Sequence, residues 1–359
     1  MPQTTPQDRI PMGTSTPLPR FLMRLRSLLL RAETAAAAAC LMTLVGFSIA
    51  SPLFLSKESL ISITNLVAEL GIISIGVTLL MIGGHIDLSV GAVVGISSYM
   101  TVYFSSIGLP PALAFLGALA ISAALGLVNG LLVMRTGLGS FIVTLGTMHV
   151  FRGLLTAWTG GFPVSSDIAE PMRSIVSGAL LPGGFRMSLV WFAMLVLGAT
   201  FTLLRTRFGN WTYAIGQNPE AARNLGVPVE RTTVALFVLC SLCGGIAGIV
   251  QVARFQSVDA LRGEGAELLA IAITVIGGTL LTGGYGSAIG SMFGALIFGM
   301  VQVGLVLVGA PGYYFKTLVG ATLVGAVLVN QSFSKLVASG GFLKSKAARK
   351  PSPPARSQR

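Results

Sequence analysis

Apolar residues along this chain gather into long segments that short polar connections separate. A helix needs about 20 residues to cross a hydrocarbon core ~30 Å thick, and each segment approaches or reaches that length. The pattern predicts an all-α integral membrane protein, with about ten transmembrane helices in a polytopic bundle. The predicted spans are 34–55, 64–84, 90–106, 111–134, 140–158, 188–204, 232–253, 267–283, 287–309 and 313–330.

The composition agrees with this pattern and excludes a water-soluble fold. Of 359 residues, 53% are hydrophobic and only 10% are charged, whereas soluble domains have about 25% charged residues. The chain also contains 45 glycines. Small residues allow membrane helices to approach closely, so this abundance favours a tightly packed helical bundle.

The net charge of +12 comes from basic residues that flank the spans. They concentrate in two predicted tails, 1–33 and 332–359, and in a central loop, 205–231. Positive residues favour the cytoplasmic side, so we expect both termini and this loop there, which requires an even number of spans. The loops expected outside, 159–187 and 254–266, are charge-balanced. A nucleic-acid partner is not expected, because the basic residues form no stripe on one face.

A few ionisable residues lie inside the predicted spans, where they are costly and therefore functional candidates. The span 140–158 is the weakest, because it contains His149 and Arg152, and a broken or re-entrant segment is the alternative. Arg152 and Lys316 are expected to snorkel to headgroups. His149 is expected to be a hydrogen-bonded structural residue, and Glu69 is a further candidate.

Two cysteines, Cys240 and Cys243, form a C-x-x-C inside an apolar segment. No further ligand lies within reach along the sequence, so we predict no metal site, and small residues at a helix contact are the favoured interpretation. With two histidines and no nucleophile motif, the chain offers little for enzymatic catalysis. We therefore expect no catalytic residues.

Two parts of the chain, residues 78–95 and 279–294, share one pattern, which we call the sequence echo. In each, a Thr-Leu-Leu and a Gly-Gly pair precede a serine and two glycines spaced to form one face of a helix. The echo indicates either duplicated halves, as in many transporters, or the chance similarity of glycine-rich helices. The candidate helix-packing residues are Gly91 and Gly95 in the first copy, and Gly290 and Gly294 in the second.

The cytoplasmic loop contains signals for one short helix. Asn218 is a suitable N-cap, Pro219 fits the first helical position, and Glu220 suits the first turn, while Gly226 closes the other end. A helix of about two turns has little stability on its own in water. Docking into a groove of a partner protein is therefore favoured over an ordinary connector. The candidate coupling residues are Asn218, Pro219, Glu220, Ala221, Ala222, Arg223 and Gly226.

A second candidate segment, GGHIDLS, lies between two spans near the predicted cytoplasmic side. It contains Gly83, Gly84, His85, Asp87 and Ser89. One interpretation is a bent segment that lines or gates a substrate pathway. The other is that Asp87 caps the following helix by accepting hydrogen bonds from its first backbone N–H groups. The two roles are compatible.

Four segments of the chain share one resemblance. The first, AIGQNPEAARNLGV, contains the E-A-A-x-x-x-G of Glu220 to Gly226, and the others are GGHIDLSVG, GSFIVTLGTMHVFRGL and AIAITVIGGTLLTGGYGSAIGSMFGAL. They resemble segments of the ABC-type monosaccharide import permeases of ribose, xylose and arabinose systems, and the first is similar to the cytoplasmic EAA loop of those permeases. They occur over residues 60–330, in the family's order.

The resemblance implies a multi-pass permease of the bacterial inner (plasma) membrane that works by alternating access. It implies three kinds of partner: a cytoplasmic ABC ATPase, a periplasmic sugar-binding protein, and a second permease chain, either identical or related. The chain has no G-x-x-x-x-G-K-[ST], so ATP would be bound by the partner and the chain itself needs no cofactor. The permease domain would span 34–331.

The alternative function is a secondary transporter of a small polar solute that uses an ion gradient. Such a protein is expected to contain paired intramembrane carboxylates or a proton relay. Here only Glu69 and Asp87 are available, far apart along the chain. The sequence therefore favours the ATP-driven importer.

Overall fold

A computed structural model of the chain describes residues 32–165, 168, 170, 172–180, 184–311, 313–315, 317, 319–321 and 324–325. The predicted tails lie outside these residues, except for positions 32 and 33. The predicted tenth span, 313–330, is described only in part.

The described part of the chain is almost entirely helical, with one small pair of strands. The helices, numbered α1 to α12 in chain order, are Ala32–Ala50, Lys57–Ile82, Val90–Ser106, Pro111–Thr136, Ser140–Thr159, Met172–Ser177, Ser188–Arg205, Arg207–Gln217, Pro219–Asn224, Val229–Phe255, Ala266–Ile276 and Ala288–Leu307. The strands β1 and β2 are Val164–Ser165 and Ser257–Val258.

Among the described residues, 7 helices are long and apolar enough to cross a membrane. They are α1, α2, α4, α5, α7, α10 and α12, and the apolar helices α3 and α11 are shorter. The prediction of an all-α, multi-pass membrane protein is confirmed. The count of ten spans and the cytoplasmic position of both termini stay predictions.

Two of the predicted spans differ from the helices that form. The alternative of a break in 140–158 is wrong, because α5 is one continuous helix of 20 residues. The predicted span 267–283 is wrong at its end, since α11 stops at Ile276. Gly277 is the C-cap, and Gly278 has a φ of +87°, a left-handed conformation that ends a helix. The chain from there to α12 is non-helical and glycine-rich.

Helices α2 and α10 form the centre of the bundle. The most apolar part of α2 is 89% buried, whereas that of α1 is 6% buried and forms the periphery. Helix α10 packs against α2, α3 and α4. Cys240 and Cys243 lie buried on α10, where the Cys243 Cβ would lie 2.7 Å from a Cβ added at Gly76 of α2. The cysteines are therefore small residues at a close helix contact.

The two loops expected outside the membrane meet each other. Strands β1 and β2 belong to these loops and pair antiparallel, with Val164 opposite Val258. Helix α5 is joined to the same region through Arg152, whose Nη1 donates to the backbone oxygen of Arg262 over 2.7 Å. Arg152 is thus an anchor inside the protein, and the expectation that it snorkels to headgroups is wrong.

The other ionisable candidates have separate environments. Glu69 on α2 is buried and forms an ion pair with Arg254 at the end of α10. Because the pair is largely buried, removal of either residue would leave an uncompensated charge and strongly destabilise the fold. His149 lies exposed on α5 and has no hydrogen-bond partner among the described residues, so the expectation of a hydrogen-bonded structural histidine is wrong. Lys316 lies outside the described residues.

Candidate functional site

The short loop helix forms as its capping signals predict. Helix α9, Pro219–Asn224, begins after Asn218, whose side chain accepts a hydrogen bond from the backbone N–H of Ala221 over 3.0 Å. Gly226 follows with a φ of +82°, a conformation that costs a residue with a Cβ about 1–2 kcal/mol. The helix is therefore fixed at both ends by local chemistry.

The structure decides which face of α9 is free. Ala222 is only 2% exposed and packs with Ile215 and Val229 of the same chain. Ala222, one of the candidate coupling residues, therefore secures the helix to its own loop. Leu225, which directly follows α9, is 84% exposed. A single exposed leucine is common on protein surfaces, so Leu225 matters here only through its position directly beside α9.

A second helix in this loop, α8, was not predicted from the sequence. It begins after Thr206, whose hydroxyl accepts from the backbone N–H of Gly209 over 3.1 Å. Its buried positions include Thr212 and Ile215, which lie on one face by helical spacing. The signal was present in the apolar spacing from Phe208 to Ile215. A single residue, Asn218, joins α8 to α9.

The end of α8 packs between the two Gly-Gly turns of the sequence echo, Gly83-Gly84 and Gly283-Gly284. The N–H of Gly284 donates to the backbone oxygen of Ile82 over 2.8 Å, which ties the second turn to the end of α2. A Cβ added at Gly216 would overlap both of these bonded atoms. A Cβ added at Gly283 would lie 2.6 Å from the Gly84 Cα. We call this meeting of Gly84, Gly216 and Gly284 the glycine junction.

Further hydrogen bonds hold the second turn in place. The Tyr213 hydroxyl on α8 donates to the backbone oxygen of Gly286 over 2.8 Å. The hydroxyl of Ser287, the N-cap of α12, donates to the Glu33 carboxylate over 2.6 Å. The turn between α11 and α12 is therefore bound to α1, α2 and α8 at once.

A cleft of about 580 Å³ opens beside the glycine junction. It brings together the two sets of candidate residues from the sequence: Gly83, Gly84 and His85 on one side, and Pro219, Glu220 and Arg223 on the other. Burial lowers the pKa of the His85 imidazole, which favours the neutral ring near pH 7. The cleft therefore presents few strong charges beyond those of the loop helix.

Asp87 and Ser89, the other two candidates of this segment, are fully buried. The Asp87 Oδ1 accepts from the Ser89 N–H over 2.8 Å and from its hydroxyl over 2.7 Å. The Asn129 amide on α4 donates to the Ser89 hydroxyl over 2.7 Å. Ser89 directly precedes α3 and already has helical φ and ψ of −77° and −12°. The Asp87 carboxylate therefore binds a backbone N–H at the start of this helix, and its capping role stays a prediction.

The four glycines expected at helix contacts lie at close approaches. A Cβ added at Gly290 would overlap the carbonyl oxygen of Gly277, and one at Gly294 would overlap that of Ile273. Gly91 and Gly95 on α3 face a different neighbour, the segment that contains Gly263 and Arg262. The echoed glycines thus serve comparable packing roles against different partners.

Substitutions of Asp87 should separate hydrogen bonding from charge. Asp87→Asn keeps an acceptor for Ser89, whereas Asp87→Leu removes it from a fully buried site, which costs about 1–3 kcal/mol. We expect Asp87→Leu to lower the thermal unfolding midpoint of the purified protein in detergent much more than Asp87→Asn. If both variants lost stability equally, the negative charge would be the stabilising feature and this account would be wrong.

The glycine junction makes a second prediction. Gly216→Ala adds one methyl group where backbone atoms of two other segments already touch, and overpacking of this kind costs about 1–3 kcal/mol. Gly198→Ala on α7 is the matched control, because nothing lies within 4 Å of a Cβ at that position. Thermal unfolding should detect a loss in Gly216→Ala alone. Equal stability of the two variants would contradict the close contact.

Comparison with known proteins places the chain among transport permeases. Residues 59–327 match the family described as "Branched-chain amino acid transport system / permease component". The ribose import permease protein RbsC of Escherichia coli strain K12 is 35% identical over 288 residues, which cover 78% of this chain and 88% of that protein.

Other relatives are similar over comparable lengths. The ribose import permease protein RbsC of Bacillus subtilis strain 168 is 37% identical over 292 residues, covering 80% of this chain and 89% of that protein. The fructose import permease protein FrcC of Rhizobium meliloti is 34% identical over 291 residues, covering 79% and 81%. The matched region, 59–327, includes both Gly-Gly turns and the loop helix. This chain therefore belongs to the matched family of membrane-embedded transport-system permease components.

Proposed function

We propose that this chain is the permease subunit of an ATP-driven ABC importer, and that it moves a monosaccharide across the inner membrane by alternating access. The family description names branched-chain amino acids, whereas the relatives that match most of the chain are named for ribose and fructose. The sugar class rests on those relatives.

The observation that carries the proposal is the loop helix and its connection to the glycine junction. Helix α9 presents Glu220, Arg223 and the nearly fully exposed Leu225. It continues through Asn218 into α8, which is wedged between the ends of α2 and α11–α12. A partner that moves α9 would therefore move the junction, because Gly216 leaves no space for α8 to slide independently.

Three partners complete the proposed system. A cytoplasmic ATPase would bind α9 and supply the energy, a periplasmic binding protein would deliver the sugar, and a second permease chain would complete the pathway. The tails 1–33 and 332–359 would lie in the cytoplasm on either side of the permease domain 34–331. The loop 205–231, with Asn218 to Gly226, would be the coupling element.

The alternative of an ion-gradient-driven transporter has less support. Glu69 is neutralised by Arg254, and the bonded oxygen of Asp87 is engaged by Ser89. The two carboxyls lie in separate environments and share no hydrogen bond among the described residues. A proton relay requires carboxyls that exchange protons along a connected path.

The energy source provides the first test of this function. Uptake of labelled ribose by whole cells should require ATP and should survive collapse of the proton gradient while ATP is maintained. The purified chain alone should not hydrolyse ATP. Uptake that stopped with the gradient at constant ATP would favour the secondary transporter, and uptake of labelled leucine in place of ribose would contradict the sugar class.

Leu225 provides the second test. Burying a leucine in a partner groove contributes about 1.5–3 kcal/mol, so Leu225→Asp should weaken co-purification of the ATPase by roughly tenfold or more and reduce uptake. Leu261→Asp is the matched control, because this leucine is also exposed, at 67%, in a loop expected on the opposite side of the membrane. Normal ATPase association in Leu225→Asp would exclude this residue from the coupling surface.

A further inference from the structure

An apolar groove with a volume of about 840 Å³ lies along the contact between α4 and α10. The two helices approach closely at this contact, because a Cβ added at Gly130 would lie 2.9 Å from the Val234 Cα. The apolar side chains of the groove are half-buried, so they remain open to what surrounds the bundle. They include Leu131, Met134, Phe208, Val234, Val238 and Leu239.

Helical spacing gives the groove a direction and a length. On α10 the lining positions are 231, 234, 235, 238 and 239, which recur every three or four residues and therefore form one stripe along the helix. Eight steps of 1.5 Å make this stripe about 12 Å long. That length is most of one leaflet of a hydrocarbon core ~30 Å thick. The groove thus starts near the beginning of α10 and extends toward the middle of the bilayer.

The charged residues that line the groove all lie at one end of it. Arg135 belongs to the last turn of α4, and Arg231 is the third residue of α10. Both are exposed, and neither forms an ion pair within the described part of the chain. Glu230 lies beside them in the first turn of α10, where the helix dipole favours a negative charge. Two arginines against one glutamate give this end a net charge of +1.

We propose that this groove binds an anionic phospholipid, phosphatidylglycerol, with its phosphate between Arg135 and Arg231 and one acyl chain along the apolar stripe. Guanidinium groups bind phosphate through paired, charge-assisted hydrogen bonds, and basic pockets between membrane helices suit acidic headgroups. The single negative charge of this lipid matches the net charge of the groove end. The inference requires only that the chain is embedded in a membrane, so it is independent of the proposed solute and energy source.

Fluorescence quenching by brominated lipid tests whether lipid occupies the groove. Leu131→Trp and Leu239→Trp each place an indole on one wall of it, and Leu197→Trp places one on α7, where the leucine is 69% exposed. The full chain is reconstituted into phosphatidylcholine vesicles with a minor fraction of phosphatidylglycerol, and the acyl chains of one lipid at a time carry bromine. The three native tryptophans set the background, which is measured in the unmodified chain.

We expect phosphatidylglycerol to be enriched roughly fivefold or more over its bulk fraction at positions 131 and 239, because one net basic charge near the membrane surface favours an acidic lipid by about that factor. Position 197 should show no enrichment. Equal quenching by the two lipids in the groove would overturn the proposal, since the groove would then be ordinary lipid-facing surface. Quenching by neither lipid would overturn it as well, because a second copy of the chain or another protein would then cover the groove.

Charge variants in the Leu131→Trp and Leu239→Trp backgrounds test the headgroup contact. Arg135→Gln combined with Arg231→Gln should abolish the enrichment. Arg205→Gln is the matched control, because it removes an exposed arginine from the last turn of α7 outside the groove, and it should leave the enrichment unchanged. Glu230→Gln should increase it, since a charge that opposes the phosphate is lost. Enrichment that survived the double substitution, or fell in Glu230→Gln, would contradict an anionic headgroup at this site.

Discussion

The contact at the glycine junction determines how the rest of this protein is arranged. The N–H of Gly284 is bonded to the backbone oxygen of Ile82, and Gly216 lies so close to both that no side chain fits there. Main chains touch directly at this point, which joins α2, α8 and the turn before α12. Backbone outside regular helix is tolerated at membrane depth where it is buried in protein or lines a water-filled cavity, and the junction packs the chain after α11 against α2 and α8.

The junction also links the proposed coupling loop to the membrane helices. A two-turn helix such as α9 has little stability of its own, so it transmits a force only if a rigid element follows it. Helix α8 is that element, because Gly216 and Tyr213 fix it to the second Gly-Gly turn. Leu225 is exposed and is the proposed contact for a partner. Ala222 is buried and secures the helix to its own loop.

Three charged groups within the bundle have partners in the chain itself. Glu69 is paired with Arg254, Arg152 is bonded to the outer loop, and Asp87 is held by Ser89. In a medium of low dielectric constant each of these groups requires a partner, and the chain supplies it internally. The Oδ2 atom of Asp87 is nevertheless buried without a hydrogen-bond partner among the described residues, and His149 is exposed on α5.

The sequence by itself determined the class of protein, most of the spans, the caps of α9 and the family, because hydrophobic length, Asn218, Pro219 and Gly226 act locally. It did not determine that α11 ends at Ile276, since the contact of Gly277 with α12 joins segments that the sequence leaves apart. The same reason applies to Ala222, Arg152 and His149. Whether each faces a partner, a loop or the exterior depends on how the helices pack, and only the tertiary structure decided this.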